Sequence, residues 1–285
     1  MHPGLAALIH PHPVAELHPH EAFVKHGRSD AVAELFALPL MASFDALLAS
    51  WPDVVDVHLP DVADEASTIH ASPHDARKLY ASGMGLMFDD VHRYAPALVG
   101  WLDAIRADLG LSRLTQQRCL IYATPSGGGT APHFDQNANF VLQLHGTKTW
   151  WLAPNTHVAL PLTRHTMGLE PDPELQTYAS LPLPTALPEH KLEFELVPGS
   201  VLFVPRGTWH TTHATTDSLQ LNFTFSAPTW IDLLTAALRS RLALSPRWRE
   251  TATPATGARF EALLRELADD AERWSAADIL SVTEG

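Results

Sequence analysis

Two segments of this 285-residue chain set apolar against neutral polar side chains in regular alternation, and no other feature narrows the fold as much. In "SLQLNFTFS", Leu219, Leu221, Phe223 and Phe225 share one face, while Ser218, Gln220, Asn222, Thr224 and Ser226 share the other. "ANFVLQLHG" repeats the scheme, with Ala138, Phe140, Leu142 and Leu144 opposite Asn137, Asn139, Gln143 and His145, interrupted at Val141. A period of two is the signature of a strand. A polar face meeting bulk water would carry Lys and Glu. Amides and hydroxyls suit the inside of a small barrel holding a polar ligand, although an edge strand gives the same pattern.

The flanks read differently. From about Asp30 to Leu109 apolar residues recur every three or four positions, as in "SFDALLASW" and "YAPALVGWLDAIRADLGL", with Gly110 as a helix stop. "DVVDVHLP" alternates and is expected as a strand, and "ASGMGLMFDDVHR" as a turn followed by a helix start. "RCLIYATP" is a further β run. From Leu152 to His190 the chain is rich in proline and poor in periodicity, an excursion expected to cover the barrel mouth. After Pro228 two helical stripes return, Trp230, Leu233, Leu234, Ala237 and Leu238, then Phe260, Leu263, Leu264, Leu267, Ala271 and Trp274. They fit packing on their own domain and a homodimer interface equally well. The expected organisation is a helical and extended region over 1–110 packing on the barrel, a β core over 111–228 and a helical segment over 229–285.

Composition removes several classes of function. With 46% hydrophobic residues the chain can bury a substantial core. A formal net charge of −13 repels phosphate backbones and anionic membranes, so neither nucleic acid nor membrane is an expected partner. No window approaches the roughly 18 apolar residues of a membrane helix. The one cysteine, Cys119, forms no internal disulfide, and a cytoplasmic setting is the simplest expectation. His2, His10, His12, His18 and His20 crowd a proline-broken start and read as turn-capping surface residues, with a metal-storage tail as the alternative.

The chemistry concentrates at "GGGTAPHFDQNANF". Residues i and i+2 of a strand point the same way, so His133 and Asp135 can offer imidazole nitrogen and carboxylate oxygen to one divalent ion. A third donor is available in "PGSVLFVPRGTWH", where an apolar strand and a glycine turn precede His210. His213 has an odd offset from His210 and faces the other side. Trp150, Trp151 and Trp209 read as packing residues.

These residues resemble the two cupin motifs: Gly127, His133-x-Asp135, Asn139 and Gly146, then Gly199, Pro205-x-Gly207 and His210. Where that pattern carries a second histidine and a glutamate, this chain has Asp135 and Asn139, and Ala214 replaces an asparagine. Two histidines with one carboxylate is the facial set of non-haem Fe(II) oxygenases. The chain therefore resembles the JmjC-type, cupin-like oxygenases dependent on 2-oxoglutarate, in the manner of the ribosomal-oxygenase and asparaginyl-hydroxylase branches. The resemblance runs from about Gly127 to Phe225, weakens toward the N-terminus and is absent from the first thirty residues.

That resemblance implies a mainly β fold, a double-stranded β-helix with an N-terminal helical region and C-terminal helices. It implies Fe(II) on His133, Asp135 and His210, with O2 and the co-substrate 2-oxoglutarate. Lys148 stands where the family carries a cation for the distal carboxylate; Thr130, Asn139 and Asn222 match positions around the co-substrate, and Gln143 is a weaker addition. The implied activity is hydroxylation of a protein or peptide side chain. Lysine demethylation and hydroxylation of a small natural product are alternatives with the same site, and a cupin holding a metal without redox chemistry is a further one.

Overall fold

In a computed structural model of the chain, residues 4–59, 67–253 and 257–277 are described; His2 and the last eight positions of the expected C-terminal segment lie outside them. The strands are β1 (Phe23–Lys25), β2 (Val55–His58), β3 (Thr68–Ala71), β4 (Gly85–Phe88), β5 (Gln116–Thr124), β6 (Gly129–Phe134) and β7 (Ala138–His145). They continue as β8 (Lys148–Ala153), β9 (His165–Thr166), β10 (Leu192–Leu196), β11 (Val201–Val204), β12 (Trp209–Ala214) and β13 (Ser218–Ser226). One antiparallel sheet has the order β1-β11-β7-β13-β5-β4-β2-β3 and the other β10-β8-β12-β6-β9. This is the double-stranded β-helix that the motifs imply. The helices are α1 (Gly4–Ile9), α2 (Ala33–Phe36), α3 (Phe44–Ser50), α4 (Pro73–Ala81), α5 (Ala97–Asp108), α6 (Pro173–Tyr178), α7 (Trp230–Leu242) and α8 (Gly257–Ala271).

The alternation in β13 does what it predicts. Its polar face carries Gln220, Asn222 and Thr224 into a cavity between the sheets. Its apolar face is buried as well, because the outside of the large sheet is covered: Trp101 of α5 stacks on Phe223 at 6.2 Å. Val141, the exception in β7, belongs to the barrel's apolar floor. It packs with Leu202 and Val204 of the large sheet and with Trp150, Leu152 and Leu196 of the small one, and Trp150 also borders the polar cavity. Burying such a cluster stabilises each large side chain by about 1.5–3 kcal/mol.

In the N-terminal region β2 falls on the expected strand, whereas β1, β3 and β4 stand where no strand was expected. The region supplies β1 to one edge of the large sheet and β2, β3 and β4 to the other. "GLMF" is strand because Leu86 and Phe88 alternate into the core and pair with β2 and β5; the sheet overrides the local pattern. The helix over Ala97–Asp108 and its stop at Gly110 (φ +65°) agree with the sequence. Cys119 is buried, and burial pushes its thiol well up. His10, His18 and His20 are exposed and His12 is half-buried. Among the described residues no helix is long and apolar enough to cross a membrane.

Contacts divide the chain into two units, Met1–Gly110 with Gln116–Ser226, and Leu111–Thr115 with Ala227–Gly285. In the smaller unit α7 opens with a capping box between Thr229 and Asp232. Arg241 of α7 reaches Asp270 of α8, and Trp274 donates to the same carboxylate at 3.0 Å.

Candidate metal centre

β6 and β12 are neighbours, and His133 stands opposite His210 in their register. That pairing brings two residues 77 positions apart to a ring-centroid distance of 4.1 Å. β6 ends at Phe134, so Asp135 lies one residue beyond the strand and not within it. The turn leading into β12 fixes it there: the Gly207 N–H donates to the Asp135 carbonyl at 2.8 Å. Gly207 adopts φ +81°, and a Cβ at that position would meet Pro161 Cδ at 2.7 Å, so the turn demands glycine.

The three side chains form the one His/Asp/Glu/Cys cluster of metal-binding spacing among the described residues, with donor atoms within 4.8 Å of one another. His133 Nδ1 lies 2.8 Å from the Ala131 carbonyl and His210 Nδ1 lies 2.9 Å from that of Thr208. A carbonyl only accepts, so each Nδ1 carries the proton and each Nε2 presents its lone pair to the cluster. Those Nε2 atoms stand 3.9 and 3.7 Å from the Asp135 oxygens. That is too long for direct hydrogen bonds and suits donors arranged around a shared cation. The donor set fits a divalent transition metal.

Electrostatics favour the ligating forms. Burial, with the Arg164 guanidinium adding to it, pushes His133 below the ordinary imidazole value despite the pull of Asp135. For Asp135 burial works upward, but the imidazoles of His133 and His210, then Arg164 and the Asn139 amide, outweigh it and hold the carboxyl below its usual range. The site thus keeps a neutral imidazole and a carboxylate near neutral pH.

The cluster opens into a cavity of about 230 Å³ lined from both sheets. Lys148, the first residue of β8, is 3% exposed; its Nζ donates to the Thr124 hydroxyl at 3.0 Å and lies 5.9 Å from the Trp150 ring centroid. Gly146 makes the preceding turn possible, with φ +69° and Asp217 O only 1.8 Å from where a Cβ would stand. Thr130 lines the cavity and shares a 3.0 Å hydrogen bond with Thr212. Asn139 accepts from the Thr224 hydroxyl at 2.7 Å and donates to Asp135 at 3.3 Å, which fixes its amide orientation. Asn222 also lines the cavity, and its buried Oδ1 has no hydrogen-bond partner among the described residues.

Two residues of the polar face of β7 have other work. Gln143 is fully buried outside the cavity lining; its amide donates to the carbonyls of His145 and Gly146 and to Ser218, and accepts from Gln220 at 2.7 Å. His145 turns outward to the Met41 carbonyl. Trp150 stacks on His210 at 5.6 Å, Trp209 sits in a buried cluster with Phe134, and His213 is exposed.

Sequence reasoning missed Thr124 and Arg164. Thr124 has the parity of the cavity residues Leu120 and Tyr122, so a signal existed. Arg164 comes from the proline-rich excursion, which is an ordered cover. The excursion adds β9 against β6, buries Val158 and Leu175 with Phe134 and Trp209, and accepts from Arg206 at the Pro161 carbonyl. No periodicity marks the arginine.

A double-stranded β-helix with two histidines and one carboxylate converging at its polar end defines a class of barrel proteins built to hold one metal ion. The family model described as the JmjC domain matches residues 102–233. The chain is 33% identical over 233 residues to the uncharacterized protein YxbC of Bacillus subtilis, covering 81% of this chain and 67% of that protein. The chain belongs to the JmjC domain family. It is 38% identical over 91 residues to ribosomal oxygenase 2 of Rattus norvegicus, 32% of this chain but only 16% of that protein's length. The fold is similar to the X-ray structure of E. coli ycfD, with TM-score 0.56 and 16% identity over 93% of this chain and 68% of that one.

Proposed function

We propose that this protein is a 2-oxoglutarate-dependent oxygenase that hydroxylates a protein or peptide side chain. The observation that carries this reading is the coexistence in one cavity of the His133, Asp135 and His210 cluster with the buried cation Lys148. A ferrous ion on the three side chains supplies the chemistry that couples O2 and 2-oxoglutarate, giving succinate and carbon dioxide, to insertion of oxygen into a C–H bond.

This chain's residues do the placing. Lys148, steadied by Thr124, takes the distal carboxylate of the co-substrate in a site where burying that anion unpaired would be costly. Asn139 holds Asp135 toward the histidines, and the Ala131 and Thr208 carbonyls keep the protons of His133 and His210 on Nδ1. Thr130 and Asn222 border the co-substrate, and the Asn222 Oδ1 offers an acceptor to a bound donor. Relatives called ribosomal oxygenases support a proteinaceous substrate. Homodimerisation through α7 and α8 is supported by exposed Trp230, Leu234, Phe260 and Leu264 on those helices.

The test is conversion of 2-oxoglutarate to succinate by the purified protein with Fe(II) under air, followed by screening of peptides and extracts for a mass gain of one oxygen. Absence of iron-dependent turnover would overturn the reading.

A further inference from the structure

We infer that Arg164 is the specificity-determining residue of this site: it receives a carbonyl oxygen of the substrate side chain, carboxylate or amide, and turns cationic side chains away. The inference rests on the oxygenase reading above.

Three cationic side chains, Arg118, Lys148 and Arg164, and one carboxylate, Asp135, line the cavity, in a chain whose formal net charge is −13. The cations have different stations. Lys148 lies deep and is set aside for the co-substrate. Arg118 is half-exposed and held by Asp89 at 3.1 Å. Arg164 stands at the metal cluster itself, with Nε 3.4 Å from Asp135 Oδ1.

Its position is built and not incidental. The Nη1 donates to the Thr166 hydroxyl at 3.0 Å, and Thr166 is the β9 residue registered with His133. The next residue, Met167, donates its N–H to the Pro132 carbonyl at 2.8 Å. The guanidinium is therefore tied to the strand that carries a metal ligand, although it arrives from the covering excursion. With a divalent ion held by His133, Asp135 and His210, the guanidinium would share the Asp135 carboxylate with that ion and present planar donors to the cavity beside the cluster. A carboxylate or amide oxygen accepts those donors. An ammonium or guanidinium would face Arg164 and the metal at once, like charges in a site of low dielectric. Gln136 and Asn137, also in the lining, add neutral amides that suit the same acceptor.

The experiment uses the full chain with Fe(II) and 2-oxoglutarate, and four peptides identical except for a central Asn, Asp, Lys or Arg. Stimulated 2-oxoglutarate consumption and mass gain of one oxygen are both read. The wild type is expected to favour Asn and Asp over Lys and Arg by about tenfold or more. In Arg164→Gln that ratio should fall toward one, and in Arg164→Glu it should invert, with thermal melts confirming that both variants fold. The assignment is overturned if the Lys or Arg peptide equals or exceeds the others, if no peptide is accepted while the wild type consumes 2-oxoglutarate, or if both variants keep the wild-type ratio. A wild type that consumes no 2-oxoglutarate at all sinks the oxygenase reading and this inference with it.

Discussion

Replacing Lys148 by Met separates binding from folding. The ammonium is 3% exposed and its contacts include the Thr124 hydroxyl at 3.0 Å and the Trp150 ring, both neutral. Holding a charge at that depth costs several kcal/mol of desolvation, which its contacts must offset. Met keeps most of the volume and removes both the charge and its desolvation. The protein without co-substrate should therefore unfold within about 1 kcal/mol of wild type, a shift of about 2–4 °C for a unit of this size. The bound dicarboxylate loses a buried, charge-assisted partner, which costs about 2–5 kcal/mol. The KM for 2-oxoglutarate should then rise at least about 30-fold. Initial rates across co-substrate concentration, paired with calorimetric melts, give both quantities. An unchanged KM with a collapsed melting temperature would make Lys148 a structural residue and refute the reasoning.

Gly146→Ala should destabilise by about 3 kcal/mol or more, combining positive-φ strain with overpacking, because its Cβ would stand 1.8 Å from Asp217 O. Gly110→Ala, at φ +65° with nothing within 4 Å, should cost only about 1 kcal/mol; equal costs in chemical denaturation would contradict the packing argument. Acidification should destabilise the metal-free protein. His133 and His165 are both held by burial below the ordinary value of 6.5, so the unfolded chain takes up protons first. Their contribution is present above about pH 6.5 and is lost progressively below it, whereas that of Asp135 persists until much lower pH. Melting temperatures that stay level or rise from about pH 7.5 to about pH 5 would refute the sign.

The centre of the fold was legible because its physics is local. Alternation in β7 and β13, and glycines at turns that leave no room for a Cβ, mark the barrel and the spacing of His133, Asp135 and His210 along it. What escaped depends on partners far away in sequence. β3 and β4 are four residues long and become strands through their sheet neighbours. The parity that placed Asn139 in the cavity could not tell it from Gln143, because the same face continues into a closed network with Gln220 and Ser218. Arg164 acquires its position from the β9 and β6 pairing, which spans a loop without periodicity.

The account depends on His133, Asp135 and His210 gripping a single divalent ion. Anaerobic calorimetric titration of the metal-free protein with Fe(II) addresses this directly. One equivalent per chain is predicted, with binding lost in each of His133→Ala, Asp135→Ala and His210→Ala; no binding by the wild type, or undiminished binding by the three variants, would contradict it.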